Sequence, residues 1–156
     1  MVMTALPVVR AIEKAIGKKK GKKAVIWFEP GAKAFDNKEA DALLTFDDIV
    51  LVCGRYEGID SRAKKIAKTL GTLKTYSVGE AIYTGGEVPA LAIVDAVTRR
   101  IPGVLGKDDS VEERRIASRE IYTRPETVEW KKKKYRVPKV LQTGHHANID
   151  AWKQKK

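Results

Sequence analysis

Apolar residues in this chain follow two rhythms. Val8, Val9, Ile12, Ala15 and Ile16 recur at helical spacing, so a helix is expected from Pro7, with Thr4 placed to cap it and Gly17 to end it. Ala24-Val25-Ile26-Trp27-Phe28 is instead a continuous run, read as a short buried strand that ends at Glu29-Pro30-Gly31. Asp36 is placed to cap a helix through Leu44, with Ala40, Leu43 and Leu44 on one side. Ile49-Val50-Leu51-Val52-Cys53 repeats the strand pattern and reads as fully buried. Asp60 then caps an amphipathic helix carrying Ala63, Ile66, Ala67 and Leu70. A third strand-like stretch follows Gly71. From Pro89 to Arg99 the pattern is apolar nearly all round, so that helix needs cover on several sides, from its own fold or from a second subunit. A last helix is expected after Thr143, with Ile149 and Trp152. Strands alternating with helices predict an α/β fold whose largely parallel sheet is flanked by helices.

Length and charge narrow this picture. With 156 residues the chain can build one real core and hardly two, so residues 1–156 are read as one domain, with 107–120 as a mobile linker and 131–156 as a basic tail. Lys and Arg number 31 against 20 Asp and Glu, a formal charge of +11 that points to a polyanionic partner, nucleic acid first, over a merely solubilising surface. No apolar run approaches the roughly 20 residues of a membrane span, and no signal-peptide pattern opens the chain, so a cytoplasmic protein is expected. The one cysteine, Cys53, lies in an apolar run and reads as a buried structural thiol. His145 and His146 are adjacent, with no cysteine at zinc-ligand spacing, and no metal site is expected from them.

Two glycine-bearing loops remain: Gly54-Arg55-Tyr56-Glu57-Gly58, and the stretch from Ser77 through Gly79, Gly85 and Gly86 to Glu87. Neither has the spacing of a P-loop or a dinucleotide fingerprint, and each alone is as well explained as a turn. Ligands of open α/β sheets, however, bind beside the carboxyl ends of strands, and glycine lets backbone approach them closely. An arginine and several carboxylates among those glycines suit a small, partly charged ligand.

The ordered set is more specific. Leu51-Val-Cys-Gly-Arg-Tyr-Glu-Gly-Ile-Asp60, Ser77-Val-Gly-Glu80, Thr84-Gly-Gly-Glu-Val-Pro-Ala90, Ile101-Pro-Gly-Val-Leu-Gly106, Tyr122-Thr-Arg-Pro-Glu126 and Gly144-His-His-Ala-Asn-Ile149 occur in that order across nearly the whole chain. This closely resembles the bacterial tRNA (guanine-N1)-methyltransferases, a family of the SPOUT class. The resemblance implies a sheet tied in a trefoil knot, a homodimer, S-adenosylmethionine as methyl donor, and tRNA methylated at the guanine following the anticodon. It implies a donor pocket built from Trp27, Phe28, Glu29 and Pro30, from Gly54, and from Val78, Gly79, Glu80, Ala81, Ile82 and Tyr83 through Gly85, Gly86 and Pro89. Ala81 stands where the family commonly carries an aromatic, with Tyr83 as the candidate replacement.

Methylating guanine N1 needs a base for the N1 proton and a positive group for the oxygen that gains electron density. Arg99 matches the family's arginine before Ile-Pro-Gly and is expected to stabilise that oxygen; Arg55 and Glu57 would position the base or a metal, magnesium being the candidate. The family's catalytic aspartate falls, counting without a gap from Gly106, on Arg114, which leaves Glu113, Glu112 or Asp109 as the base, Glu113 first. Relative to the family, the first strand and helix before Met1 and the helical C-terminal domain that grips tRNA are expected to be missing. Two other readings follow from these departures: a basic RNA-binding module that has lost catalysis, and a related SPOUT methyltransferase with another RNA target.

Overall fold

A computed structural model describes residues 1–18, 20–105 and 120–154, which fall into two compact units, Met1–Leu105 and Gly106–Lys156. In the first unit the order is α1 (Ala5–Ile16), β1 (Lys23–Ala34), α2 (Asn37–Leu43), β2 (Asp48–Val52), α3 (Ser61–Leu70), β3 (Thr72–Ser77) and α4 (Glu87–Thr98). The three strands form a parallel sheet in the order β2-β1-β3. The expected α/β fold with a parallel sheet is therefore present.

Alternation along β1 builds two cores from one strand. Val25 and Trp27 face Val8, Ile12 and Ile16 of α1 and Ala63 and Ala67 of α3, whereas Ala24 and Ile26 face Ala40 and Leu43 of α2, Tyr76 of β3, and Ile93 and Val97 of α4. Parallel crossovers share one hand, so a step from β1 outward to β2 and a return past β1 to β3 put α2 and α3 on opposite faces. Both faces of the centre are thus covered, which is why β1 could be read as a continuous apolar run.

Several boundaries differ from the sequence reading for definable reasons. Helix α1 begins at Ala5, not Pro7, and Thr4 occupies the N-cap position without a side-chain hydrogen bond. Pro7 and Pro89 each stand third in their helices, because proline is tolerated anywhere in the first turn, where amide groups lack helical partners. The Ile49–Cys53 run is not fully buried: β2 is an edge strand of which only Val52 is buried, and Cys53 lies just beyond its end, half-buried. A continuous apolar run reports that both faces are covered; it does not report whether a neighbour pairs on each side. Lys23, the first residue of β1, ties the sheet to α1: its Nζ donates to the carbonyls of Ile16 (3.1 Å) and Gly17 (3.0 Å) at the end of that helix. Asp36 and Asp60 cap α2 and α3 as expected, accepting from the amides of Glu39 and Arg62.

Strand β1 outlasts its predicted end at Phe28 through an excursion. Phe28 and Lys33 both stand opposite Tyr76 of β3, so Glu29, Pro30, Gly31 and Ala32 are pushed out of the ladder at the carboxyl end of the sheet. Glu39 pins the base of this excursion: its carboxylate accepts from Lys33 and, at 2.5 Å, from the hydroxyl of buried Tyr76. Lys33 first, then Tyr76, hold the Glu39 carboxyl down at about 2. With the folded value below the ordinary 4.5, the stabilisation is present above that pH and is lost as the pH falls toward the folded value. The thermal midpoint of the wild-type protein is accordingly expected to drop more between about pH 5 and about pH 3 than that of Glu39→Gln. Equal drops would remove Glu39 from the acid response.

On the same α2/α4 face, Arg100 follows α4 and is only 3 % exposed. Its guanidinium donates to Asn37 Oδ1 at 2.7 Å and pairs with Asp41 Oδ1 at 3.2 Å, joining the end of α4 to α2. A buried guanidinium needs such partners to offset its desolvation.

The second unit carries a hairpin of β4 (Thr127–Trp130) and β5 (Lys133–Arg136), a short 3-10 turn (Lys139–Gln142) and α5 (His146–Gln154). Tyr122 packs against Trp152 of α5, with ring centroids 6.3 Å apart. The final helix was expected and the hairpin was not. The expected linker, with Asp109, Glu112, Glu113 and Arg114, lies outside the described residues apart from Glu120.

Candidate functional site

The two glycine loops meet at the carboxyl ends of the strands. Arg55 bridges Gly85 in an antiparallel pair, the Gly86 amide donates to the Gly54 carbonyl at 2.9 Å, and Arg55 Nε donates to Glu87 Oε1 at 2.8 Å. Gly86 makes this approach possible: a Cβ there would stand 2.7 Å from Cys53 Cα and 3.1 Å from the Gly54 nitrogen. Glycine is thus required for space at Gly86, not for dihedral freedom, since its φ of −76° is open to any residue. At Gly79, by contrast, a φ of +77° calls for glycine directly.

Between the locked loops and the β1 excursion lies an open cavity of about 430 Å³, within the range of small-molecule sites. It is lined by Trp27, Phe28, Glu29 and Pro30, by Gly54, Arg55, Tyr56, Glu57, Gly58 and Ile59, and by Val78, Ala81, Ile82, Tyr83, Gly85, Gly86 and Pro89. Val52, Tyr76, Ser77 and Thr84 complete it. Of the residues expected to hold a methyl donor, all but Gly79 and Glu80 line the cavity. The sequence reading quoted Val52, Tyr56, Gly58, Ile59, Ser77 and Thr84 within its motifs without giving them a part in the pocket. Tyr76, outside every quoted motif, is brought in only by its position opposite the excursion.

Electrostatically, the carboxylates here are engaged. Glu87 is bound by Arg55, Glu29 by Lys64 Nζ at 2.7 Å, and Glu57 by the amino group of Met1. Glu87 is held below the usual carboxylate range, by the backbone first and by Arg55 second. Cys53 is pushed the other way, chiefly by burial and then by Glu87, which leaves its thiol protonated and a poor nucleophile at neutral pH. No group of three or more His, Cys, Asp or Glu among the described residues is arranged to hold a metal ion, so the magnesium expectation finds no donor set there.

Of the expected catalytic residues, Arg55 and Glu57 line the cavity and Arg99 does not. Arg99 caps the far end of α4, whose 12 residues place it roughly 20 Å along the axis from Gly86. Its Nε is buried without a hydrogen-bond partner among the described residues. Such an orphaned donor is uncommon in folded proteins and calls for an explanation.

The chain is 41% identical to a tRNA (guanine-N(1)-)-methyltransferase of Clostridium acetobutylicum, covering 99% of this chain and 61% of the relative. It is 39% identical to the protein of that name from Clostridium perfringens, covering 99% and 63%, and 37% identical to that of Vibrio campbellii, covering 99% and 61%. The chain thus spans about three-fifths of the length of the curated relatives it matches. The sequence model described as tRNA (Guanine-1)-methyltransferase TrmD matches residues 1–156, the locked glycine loops included, and the chain belongs to that family.

Proposed function

We propose that this chain forms the donor-binding body of a cytoplasmic tRNA methyltransferase that modifies guanine N1 at the position following the anticodon. The observation that carries the proposal is the cavity closed by the Gly54–Gly58 and Ser77–Glu87 loops. Its chemistry fits S-adenosylmethionine: aromatic and aliphatic walls from Trp27, Phe28, Val78 and Ile82 suit an adenosine, and the Gly54 and Gly85-Gly86 segments line the rest of the cavity. When bound, the donor would supply a methyl group activated by a positively charged sulfur. The trefoil threading that the family resemblance implies is part of this reading.

The chain's own residues handle the acceptor. A carboxylate, Glu113 by preference, takes the N1 proton, and the guanidinium of Arg99 stabilises the charge that develops on the guanine oxygen. Since Arg99 stands at the far end of α4 from the cavity of its own chain, we infer that it serves the cavity of a second copy. A face of α4 supports that pairing. Val88, Leu91 and Val94 are exposed beside the buried Ala90, Ile93 and Val97, and Ile101, Val104 and Leu105 just beyond the helix are exposed as well. Solvent-facing apolar surface of this extent is characteristic of an interface.

Calorimetric titration with S-adenosylmethionine tests the cavity: heat of binding is expected, and none at high concentration would remove the donor reading. In a transfer assay on unmodified tRNA, Arg99→Ala is expected to lower turnover by about a hundredfold or more while leaving donor affinity unchanged. Arg114, standing where the family has its aspartate, favours the second reading, a catalytically lapsed RNA-binding domain. That reading predicts salt-sensitive tRNA binding without methylated product.

A further inference from the structure

We propose that the β4–β5 hairpin is an RNA-docking element that takes unpaired nucleotides, stacking bases on Trp130 and Tyr135 and meeting phosphates with Lys131, Lys132 and Lys133. The inference rests on the reading of the chain as a protein that acts on RNA. Residues directly opposite one another in an antiparallel pair share a face. The register Val128↔Tyr135 and Trp130↔Lys133 therefore puts Trp130, Tyr135, Val128 and Lys133 on one side. That side is uncovered, with Trp130 65% and Tyr135 57% exposed.

The tip sharpens the case. Lys131 and Lys132 form the two-residue turn with φ of +47° and +63°, the left-handed region that hairpins of this kind normally fill with Asn-Gly. Two lysines there cost conformational energy that Asn-Gly would spare, while projecting two cations from the apex. Lys131 Nζ stands 6.0 Å from the Trp130 ring centroid, beside the exposed ring. From Thr127 to Arg136 there are five cations and one carboxylate, Glu129. Exposed aromatic rings interleaved with cations are the pattern that holds single-stranded nucleic acid, because every base offers a face to stack and every nucleotide a phosphate. A duplex hides its base faces and satisfies only half of this surface.

The test uses the full chain with unmodified tRNA, a single-stranded RNA oligonucleotide and a duplex of equal length. The wild-type protein is expected to prefer the single strand to the duplex, and Trp130→Ala to weaken single-strand binding about tenfold. The double variant Lys131→Asn with Lys132→Gly relieves the turn, so it should hold or raise the thermal midpoint. It should nevertheless weaken tRNA binding and flatten its logarithmic salt dependence by about two. Equal affinity of wild type and both variants for tRNA and single strand would overturn the proposal. So would duplex binding as tight as single-strand binding, or hairpin-dependent capture by anionic phospholipid vesicles in place of RNA. Donor titration on the same samples separates the two readings. Loss of RNA affinity without any donor binding would sustain the hairpin and sink the methyltransferase. Donor binding with RNA affinity insensitive to the hairpin would do the reverse.

Discussion

Gly86→Ala is expected to dismantle the cavity although it adds a single methyl group. That methyl would stand 2.7 Å from Cys53 Cα, 3.1 Å from the Gly54 nitrogen and 3.3 Å from the Cys53 carbonyl carbon. All three atoms are backbone, so no side chain can rotate away and the loops themselves must part. Parting them strains or breaks the Gly86-to-Gly54 hydrogen bond and the Arg55–Gly85 bridge that hold the second loop over the first. Overpacking of this kind costs about 1–3 kcal/mol in stability. Because the displaced atoms are also cavity wall, the affinity for S-adenosylmethionine should fall by more than about tenfold. Gly31→Ala is the control: no atom lies within 4 Å of a Cβ there, and it should change neither the thermal midpoint nor the titration. A Gly86→Ala protein with wild-type stability and affinity would show that the loops are not locked through this residue.

On the proposed pairing through α4, Leu91→Glu should convert a paired molecule into a single one. Leu91 is 67% exposed on α4 of the isolated chain, so in a monomer the substitution touches little and should stay within about 0.5 kcal/mol of wild-type stability. In a dimer packed through α4, the same carboxylate would be buried without a partner, at a cost of several kcal/mol. Sedimentation should therefore show two copies for the wild-type chain and one for the variant, with the circular dichroism of the α/β fold retained. Methyl transfer should fall with the loss of the dimer, since Arg99 would no longer meet a second cavity. A variant that still sediments as two copies would place the interface elsewhere.

The two predictions differ in what made them visible. Gly86 lies in a motif that marks itself as unusual, but the reason for its glycine, contact with Cys53, joins residues 33 positions apart and has no local signature. The apolar wrap of α4 did show in the sequence, as a helix needing cover on several sides. Which side its own core takes was decided by the register of β1 and β3, which directs Ala24, Ile26 and Tyr76 toward Ile93 and Val97. The hairpin escaped notice for a related reason: Lys131–Lys134 breaks any alternation, and two left-handed lysines replace the turn residues that announce a hairpin.

By itself, then, the sequence determined the helices and strands of the first unit and the last helix, the two caps at Asp36 and Asp60, and the ordered motifs that mark the family and most of the cavity wall. Those properties depend on spacing within a turn or a strand, and a short window of residues carries them. Only the tertiary structure decided that β1 lies between β2 and β3, that the β1 excursion is fixed at Tyr76 and Glu39, and that Arg99 stands at the opposite end of its helix from the cavity. Each of these depends on which distant segments pair, a choice made by burial and hydrogen bonding summed over the whole sheet rather than by any residue's own neighbours.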